Sequence, residues 1–338
     1  MRFVAPELSG PSGGTNYNRR VCQELGVREV FVPGDWPWAG DAERSALAGA
    51  LLGVPDGSAV FVDGLVACAA PEVVVPAAAR LRLAVLVHLP LADETGLTPG
   101  EAAELDARER ATLRAAAAVV ATSATTARRL VEHHGLAPAR VHVAAPGADR
   151  ASLASGTPDG RRLLCVAALT PRKGHDVLVA ALAKVAEWPW ECLCAGAGDP
   201  DRLDRLVAAH GLDGRVRFEG AQVGADLDAR YAAADLLVLA SHAETYGMVV
   251  TEALARGVPV LATAVGGVPE ALGHAPSGAV PGLLVPPGDV AALAGALRRW
   301  LGEPDTRERL RAAARARRET LTGWDVTARA VTDVVGMI

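Results

Sequence analysis

Two glutamates flank a predicted helix N-terminus in the second half of the chain. In SHAETYGMVVTEALARGVPV, residues 241–260, Glu244 lies in a loop and Glu252 follows eight positions later on a helix. The first turn of such a helix has free N–H groups and partial positive charge, which suit a diphosphate. Carboxylates, by contrast, are good acceptors for hydroxyl groups. The pattern therefore predicts a ligand with a phosphate centre and hydroxyls on both sides, such as a nucleotide sugar. The N–H groups in question belong to Gly247, Met248 and Val249.

A basic turn supports the same interpretation. The segment ALTPRKGHDVL, which begins at Ala168, places Arg172 and Lys173 between a predicted strand and a helix. Lys173 is one of only two lysines in the chain, the other being Lys184. Arginine has a fork of donors and lysine a compact charge, so the pair suits a diphosphate. In the alternative interpretation, Arg172 and Lys173 form an ordinary exposed basic turn. Glu244 is then an acid at a helix start, and Glu252 lies on a solvated helix face.

Other strand ends carry weaker signals. Gly13 and Gly14 precede a helix, where glycine lets the backbone approach a phosphate or sugar, or simply makes a tight turn. His88 ends the apolar run VLVH and is either a site residue or a structural histidine. Glu94 follows in a polar loop that either reaches an acceptor or is solvated. Thr15, Asn16, Gly266 and Gly267 are further candidate contacts for an acceptor or sugar.

The arrangement of apolar runs predicts an α/β fold. Short β-branched runs alternate with helical stretches, which indicates parallel sheets covered on both faces. We predict two Rossmann-like, doubly wound domains facing an interdomain cleft, since ligands bind outside the carboxyl ends of such strands. The predicted domains are 1–149 and 150–323, with a C-terminal helix at 324–338. The predicted strands are 2–6, 28–32, 59–63, 82–88, 118–122, 140–145, 162–168, 190–196, 215–220, 235–240, 259–263 and 282–286.

Composition excludes several classes of protein. A net charge of −5 argues against a nucleic-acid binder. We expect no signal peptide and no membrane span, because no apolar run is long enough. The five cysteines form no CxxC pair and are expected to be buried free thiols, which indicates a cytoplasmic protein. No metal site is predicted, since His133 and His134 have no ligand partners at a useful spacing.

Several segments together resemble the family-4 retaining glycosyltransferases (glycosyl transferases group 1), which have the GT-B fold. These are LTPRKGHDVL, YAAADLLVLASHAETYGMVVTEALARGVPVLATAVGGVPE, GLLVPPGDVAALAGAL, VHVAAPGAD and the C-terminal GWDVTARAVTDVV. The resemblance covers nearly the whole chain, and it implies that the C-terminal helix at 324–338 crosses back to the first domain. There are three departures from the family pattern. The N-terminal domain is compact, with few residues between strands to shape an acceptor pocket. The sequence before Gly266 is TAV, where an acid is common, and His242 has no assigned role.

The resemblance implies roles for individual residues. Arg172 and Lys173 would hold the diphosphate. Glu252 would bind ribose hydroxyls and Glu244 would face the donor sugar. Gly14 would approach the phosphate or sugar, and His88 would lie beside the transferred sugar. The expected catalytic residues are His88, Arg172, Lys173 and Glu244, and the expected donor contacts are Gly13, Gly14, Arg172, Lys173, Glu244, Gly247, Met248, Val249 and Glu252.

The resulting hypothesis is a retaining, metal-independent hexosyltransferase. It would use a nucleotide-sugar co-substrate, linked to UDP or GDP, and no cofactor. The N-terminal half lacks lysine, which favours a small-molecule acceptor over a lipid, with peripheral membrane contact left open. A monomer or homodimer is expected. The alternatives are a nucleotide-sugar epimerase of the same architecture and a non-catalytic nucleotide-sugar sensor.

Overall fold

The chain divides into two compact units. The computed structural model describes residues 1–8 and 12–338. Unit 1 comprises Met1–Gly147 and Gly323–Ile338, and unit 2 comprises Ala148–Thr322.

Unit 1 contains a parallel sheet with helices packed on it. Its strands are β1 (Arg2–Pro6), β2 (Glu29–Val32), β3 (Ala59–Asp63), β4 (Arg82–Val87), β5 (Ala118–Ala121) and β6 (Val141–Val143). Over the described residues the strand order is β2-β1-β3-β4-β5-β6, and all neighbours are parallel. The helices between the strands are α1 (Gly13–Leu25), α2 (Asp41–Leu52), α3 (Gly64–Ala69), α4 (Pro71–Ala78), α5 (Pro99–Ala115) and α6 (Ala124–His134).

Unit 2 repeats this architecture. Its strands are β7 (Arg162–Val166), β8 (Glu191–Ala195), β9 (Val216–Phe218), β10 (Leu236–Leu239), β11 (Val260–Thr263) and β12 (Gly282–Val285). The order is β12-β11-β10-β7-β8-β9, again parallel throughout. Its helices are α7 (His175–Ala183), α8 (Asp201–Ala209), α9 (Gly224–Ala233), α10 (Met248–Ala255), α11 (Val268–Leu272), α12 (Val290–Gly302) and α13 (Pro304–Arg318).

The predicted α/β class with two Rossmann-like domains is confirmed. Each predicted strand has an observed counterpart, and the differences are at the ends. The strand predicted at 140–145 spans Val141–Val143, and the one predicted at 215–220 spans Val216–Phe218. The central strands are apolar on both faces because helices cover both. Val60, Phe61 and Val62 of β3, for example, are fully buried.

The C-terminal helix α14 (Trp324–Met337) belongs to unit 1 and packs on α1. The Trp324 ring meets the Tyr17 ring edge to face, with centroids 5.6 Å apart. The Tyr17 hydroxyl donates to the Ala144 carbonyl at 2.8 Å. A Cβ on Gly147 would lie 2.4 Å from the Trp324 nitrogen, so glycine is required where the chain passes this helix. Trp324 therefore anchors the last helix by close packing.

The cores and cysteines agree with this layered arrangement. Apolar side chains from strands and helices form one buried cluster in unit 1 and two in unit 2 within the described residues. All five cysteines are buried and free. In the part of the chain that the structure describes, no helix has the length and apolar character needed to cross a bilayer.

Candidate functional site

The basic turn of unit 2 lies against the end of a neighbouring strand. Pro171–Lys173 forms a single 3₁₀ turn that ends at Gly174. Gly174 has φ +63°, and a Cβ there would lie 2.2 Å from the Ala240 carbonyl oxygen. Glycine is therefore needed both for the left-handed backbone and for the close approach. This contact fixes the position of the turn beside the segment that follows β10.

Lys173 and Glu244 form an ion pair in this region. The Lys173 Nζ lies 2.6 Å from Glu244 Oε1, and the Ser241 hydroxyl donates to the same oxygen at 2.8 Å. The side chains of Lys173 and Glu244 are only 16% and 8% exposed. The structure thus brings together two residues that the sequence assigned to different parts of a ligand. In this structure each is the charge partner of the other.

Arg172 is fastened to the same loop through backbone groups. Its Nη1 donates to the Ala243 carbonyl at 3.3 Å, and its own carbonyl accepts from the His242 N–H at 2.8 Å. The His242 side chain is exposed. His242, which had no assigned role, therefore contributes a backbone contact that joins the basic turn to the Glu244 loop.

The glycine pair that follows β11 also contacts this loop. Gly266 has φ +48°, and a Cβ there would lie 1.6 Å from the Glu244 carbonyl oxygen. The Gly267 N–H donates to that oxygen at 3.3 Å. The sequence suggested that these glycines face a sugar or phosphate. The structure places them against the backbone of Glu244, which they hold in position.

Glu252 lies on α10 and has a different set of partners. Its Oε2 accepts from the Tyr231 hydroxyl at 2.7 Å. Arg256 stacks on the Tyr231 ring at 4.7 Å and donates to the Glu252 carbonyl oxygen at 2.9 Å. Burial raises the pKa of Glu252, while the Tyr231 hydrogen bond and the charge of Arg256 act in the opposite direction. The carboxyl group is thus held in one orientation by the Tyr231 hydroxyl on α9.

The N-terminus of α10 has the predicted form. Gly247 caps the helix with φ +85°, and Met248 is the first helical residue. Met248 and Val249 lie in the first turn, whose N–H groups have no carbonyl partner within the helix. These groups and the partial positive charge of the helix end suit an anion.

In unit 1 the ends of β3 and β4 carry a buried polar network. The Asn18 Nδ2 donates to Asp63 Oδ2 at 2.6 Å, and the Asn18 Oδ1 lies 2.7 Å from His88 Nε2. Asp63 also accepts the Leu65 N–H at 2.8 Å and lies 3.5 Å from His88 Nε2. Because Asn18 Oδ1 can only accept, His88 carries its proton on Nε2. Nδ1 is then an acceptor, and within the described residues no group donates to it.

The electrostatics of this network favour a neutral imidazole. Burial lowers the pKa of His88, and the negative charge of Asp63 offsets only part of that effect. The Tyr17 ring meets the imidazole edge to face at 5.1 Å. His88 is therefore a fixed, uncharged hydrogen-bond acceptor at neutral pH.

Of the remaining predicted residues of unit 1, Gly14 lies against His88. A Cβ on Gly14 would be 3.2 Å from His88 Cδ2. Gly13 begins α1, and Thr15 donates its N–H to the capping Ser12 hydroxyl at 3.0 Å. Asn16 accepts from the exposed Arg19 at 2.7 Å. Glu94 is exposed and accepts the Thr95 N–H at 2.9 Å.

A cavity of about 540 Å³ opens at the carboxyl ends of the unit 1 strands. Its lining includes Gly14, Thr15, His88 and Glu94 among the predicted residues, together with aromatic side chains from the segment after β2. The sequence suggested that this compact domain has little material with which to shape an acceptor pocket. The segment from Phe31 to Trp38 supplies one wall of it.

His133 and His134 have carboxylate neighbours that the sequence did not reveal. Ligand atoms of Asp106, His133 and His134 lie within 4.8 Å of one another in the described residues. His133 Nε2 is hydrogen-bonded to Asp106, and His134 Nε2 lies 3.0 Å from Glu109 Oε2. The statement that these histidines lack partners was therefore wrong. Their partners are 25 and 27 positions away, and each imidazole is already engaged by a carboxylate.

Sequence reasoning missed four residues that position the site. Asp63 had a usable signal, since it is an acid that ends a buried apolar strand at the ligand-binding edge. Tyr231 and Asn18 lie inside helices, where nothing in the local pattern distinguishes them from core or surface residues. Ser241 precedes His242 in the quoted segment, and only its distance to Glu244 reveals its role.

Comparison with known proteins agrees with this architecture. The family model described as glycosyl transferases group 1 matches residues 147–317, and the model described as glycosyltransferase family 4 matches residues 60–152. A D-inositol 3-phosphate glycosyltransferase of Kineococcus radiotolerans is 35% identical over 269 residues, and the match covers 70% of this chain and 62% of that protein. The chain thus spans less than two thirds of the length of the curated relatives it matches.

Solved structures show the same fold. HepE of Anabaena, solved with UDP and glucose, has a TM-score of 0.79 at 17% identity, with all of both chains covered. Sucrose-phosphate synthase of Thermosynechococcus elongatus has a TM-score of 0.80 at 22% identity, covering 100% of this chain and 99% of that one. At these identities the likeness shows the GT-B fold alone. With one family model matching half of its residues, the chain belongs to glycosyl transferases group 1.

Proposed function

We propose that the protein is a retaining, metal-independent hexosyltransferase that uses a nucleotide-diphosphate sugar and a small-molecule acceptor. The observation that carries this proposal is the 2.6 Å contact between Lys173 and Glu244 beside Arg172. A cation for the diphosphate and a carboxylate for the sugar hydroxyls are thereby held within one hydrogen bond of each other. The family membership and the first turn of α10 support the same assignment.

The donor diphosphate would replace the carboxylate as the partner of Lys173. The demanding step breaks the bond between the anomeric carbon and the leaving phosphate oxygen, on which negative charge develops. Arg172, Lys173 and the N–H groups of the α10 first turn would stabilise that charge electrostatically. Glu244, released from Lys173 but still hydrogen-bonded to Ser241, would then accept sugar hydroxyls. Glu252, oriented by Tyr231, would accept the ribose hydroxyls.

The unit 1 network would serve the transferred sugar. With the Nε2 proton of His88 held by Asn18, its Nδ1 is available to accept a hydrogen bond from a substrate hydroxyl. In a retaining transfer the leaving phosphate can take the acceptor's proton, so no further base is required. The proposal of retention rests on the family resemblance.

The donor nucleotide and the compartment are part of the same proposal. UDP is the first candidate because HepE of Anabaena was solved with UDP and with UDP-glucose, and GDP is the second. The two basic side chains of the turn would supply the charge that a metal ion supplies elsewhere, so transfer should persist in EDTA. Five buried, free thiols support a cytoplasmic protein.

The two lysines of the chain provide a matched test. Lys173→Met should lower donor turnover by about 10²–10³, the cost of one lost charge-stabilising contact. Lys184→Met removes an exposed lysine at the end of α7 and should leave turnover unchanged. The assay is release of nucleoside diphosphate from UDP- and GDP-sugars in the presence of EDTA. Wild-type turnover by Lys173→Met would refute the proposal, and an epimerised sugar in the acceptor-free reaction, detected by NMR, would favour the epimerase instead.

A further inference from the structure

The unit 1 cavity carries negative charge on its lining. Four carboxylates line it, and among its described lining residues none is Lys or Arg. The imidazole of His88 is neutral, so it does not balance them. The carboxylates belong to Glu29, Asp63, Glu94 and Glu101.

Two of these acids, Glu29 and Asp63, are buried enough to interact electrostatically. Asp63 is 3% exposed, and Glu29 on β2 is partly buried. The pKa of Glu29 is raised, mainly by burial and secondly by the charge of Asp63, whereas the charge of Arg19 lowers it. Arg19 is exposed, donates to Asn16 and is not among the described lining residues. No Lys or Arg among the described lining residues compensates the charge of Glu29 or Asp63.

The lining also includes accessible aromatic side chains. Phe31 and Trp38 are 53% and 43% exposed, although both are large apolar side chains. Trp36 is 9% exposed, and its indole N–H is already satisfied by the Val32 carbonyl. Accessible aromatic faces beside carboxylates bind a ring face, and they attract a cation through the ring quadrupole. A phosphate group, which needs cationic or N–H donors, would meet carboxylates here instead.

We infer that the acceptor for this cavity is a non-phosphorylated molecule that bears an ammonium group next to a ring or apolar face. The inference rests on the proposed function and deepens it. It also separates this chain from the relatives, whose name specifies an inositol phosphate. In the cavity the ammonium would lie beside Glu29, where the charge of the buried Asp63 also acts, and the ring would lie on Trp38 and Phe31.

Matched probes test the charge of the acceptor directly. Scyllo-inositol, scyllo-inosamine and scyllo-inositol phosphate share one ring and differ in one substituent. Benzyl alcohol, benzylamine and benzyl phosphate repeat the comparison on an apolar ring. Binding to the full chain is measured by isothermal titration, without nucleotide and with UDP. We expect the amine of at least one ring to bind about tenfold more tightly than its phosphate, a difference of the size of one partly desolvated cation contact.

Variants assign the effect to the cavity. Glu29→Gln should weaken binding of the amine several-fold and leave binding of the neutral alcohol unchanged. Glu24→Gln is the matched control, because Glu24 is exposed on α1 and is not a lining residue. Glu94→Gln repeats the test at an exposed position of the lining, in case Glu29→Gln does not fold. Loss of amine binding in Glu24→Gln as large as in Glu29→Gln would overturn the assignment.

The outcomes separate this inference from the proposed function. If no amine binds more tightly than its phosphate, including the case in which no probe binds, the inference is overturned. That result would leave donor turnover and the Lys173→Met comparison intact. Conversely, absence of turnover with any nucleotide sugar would refute the transferase proposal, while the probe titrations would still report the charge preference of the cavity.

Discussion

An alanine at position 266 would push directly against the loop that carries Glu244. The new Cβ would lie 1.6 Å from the Glu244 carbonyl oxygen, whereas real Cβ contacts stay above 3.0 Å. The two groups must therefore separate by about 1.4 Å. The neighbouring N–H of Gly267 donates to the same oxygen, so that hydrogen bond would be lost as well.

Two effects of this substitution can be separated by magnitude. The left-handed backbone at φ +48° costs an alanine about 1–2 kcal/mol of stability. The displacement of the loop acts on function, because it moves Glu244 away from Lys173, with which it now makes a 2.6 Å contact. A misplacement of about 1 Å in a site typically costs about 10²-fold in rate. We expect Gly266→Ala to lose at least that factor in kcat/KM for donor turnover.

Gly211→Ala is the matched control. Gly211 has φ +65°, but a Cβ there would meet no atom within 4 Å. It should lose about 1–2 kcal/mol in urea unfolding and keep its turnover. The measurements are urea unfolding and release of nucleoside diphosphate for both variants. If Gly266→Ala matched Gly211→Ala in both stability and turnover, the role assigned to the glycine pair would be wrong.

Three further predictions follow from the described contacts. Asp63→Asn removes the charge that raises the pKa of His88, so the acid limb of the kcat/KM profile should move to lower pH, and an unmoved limb would contradict the network. Glu252→Gln should weaken UDP binding in calorimetry by about 10–100-fold, the value of hydrogen bonds to a charged group, and unchanged binding would remove its ribose role. Trp324→Ala should cost about 3–5 kcal/mol in urea unfolding. Trp38→Ala, at an exposed tryptophan, should cost much less, and equal losses would contradict the packing of α14.

Much of the fold was predictable because it depends on local patterns. Apolar β-branched runs are strands wherever both faces are covered, so the strands of both sheets were found to within a few residues. The strand predicted at 140–145 ends earlier, at Val143, because a strand ends where its pairing with the neighbouring strand, here β5, stops. The hydrophobic pattern alone does not determine the last paired residue of a strand.

The sequence predicted which residues would form the donor side of the site, but not which of them contact each other. A basic turn after a strand and an acid before a helix each have a local meaning. That Lys173 meets Glu244, 71 positions away, depends on β7 and β10 being neighbours in the sheet. The sequence showed no ligand partners for His133 and His134 for the same reason. The carboxylates that engage them lie on another helix, α5, and only the tertiary structure brings them close.

The sequence by itself determined the alternation of strands and helices, the glycines that permit left-handed turns, and the cationic and acidic side chains at strand ends. Only the tertiary structure decided that Asn18 joins His88 to Asp63, and that the segment after β2 closes an acidic and aromatic cavity. The physical reason is that propensity and periodicity act over a few residues. The strand order, which brings distant carboxylates and cations within hydrogen-bond distance, is set by burial of the whole sheet.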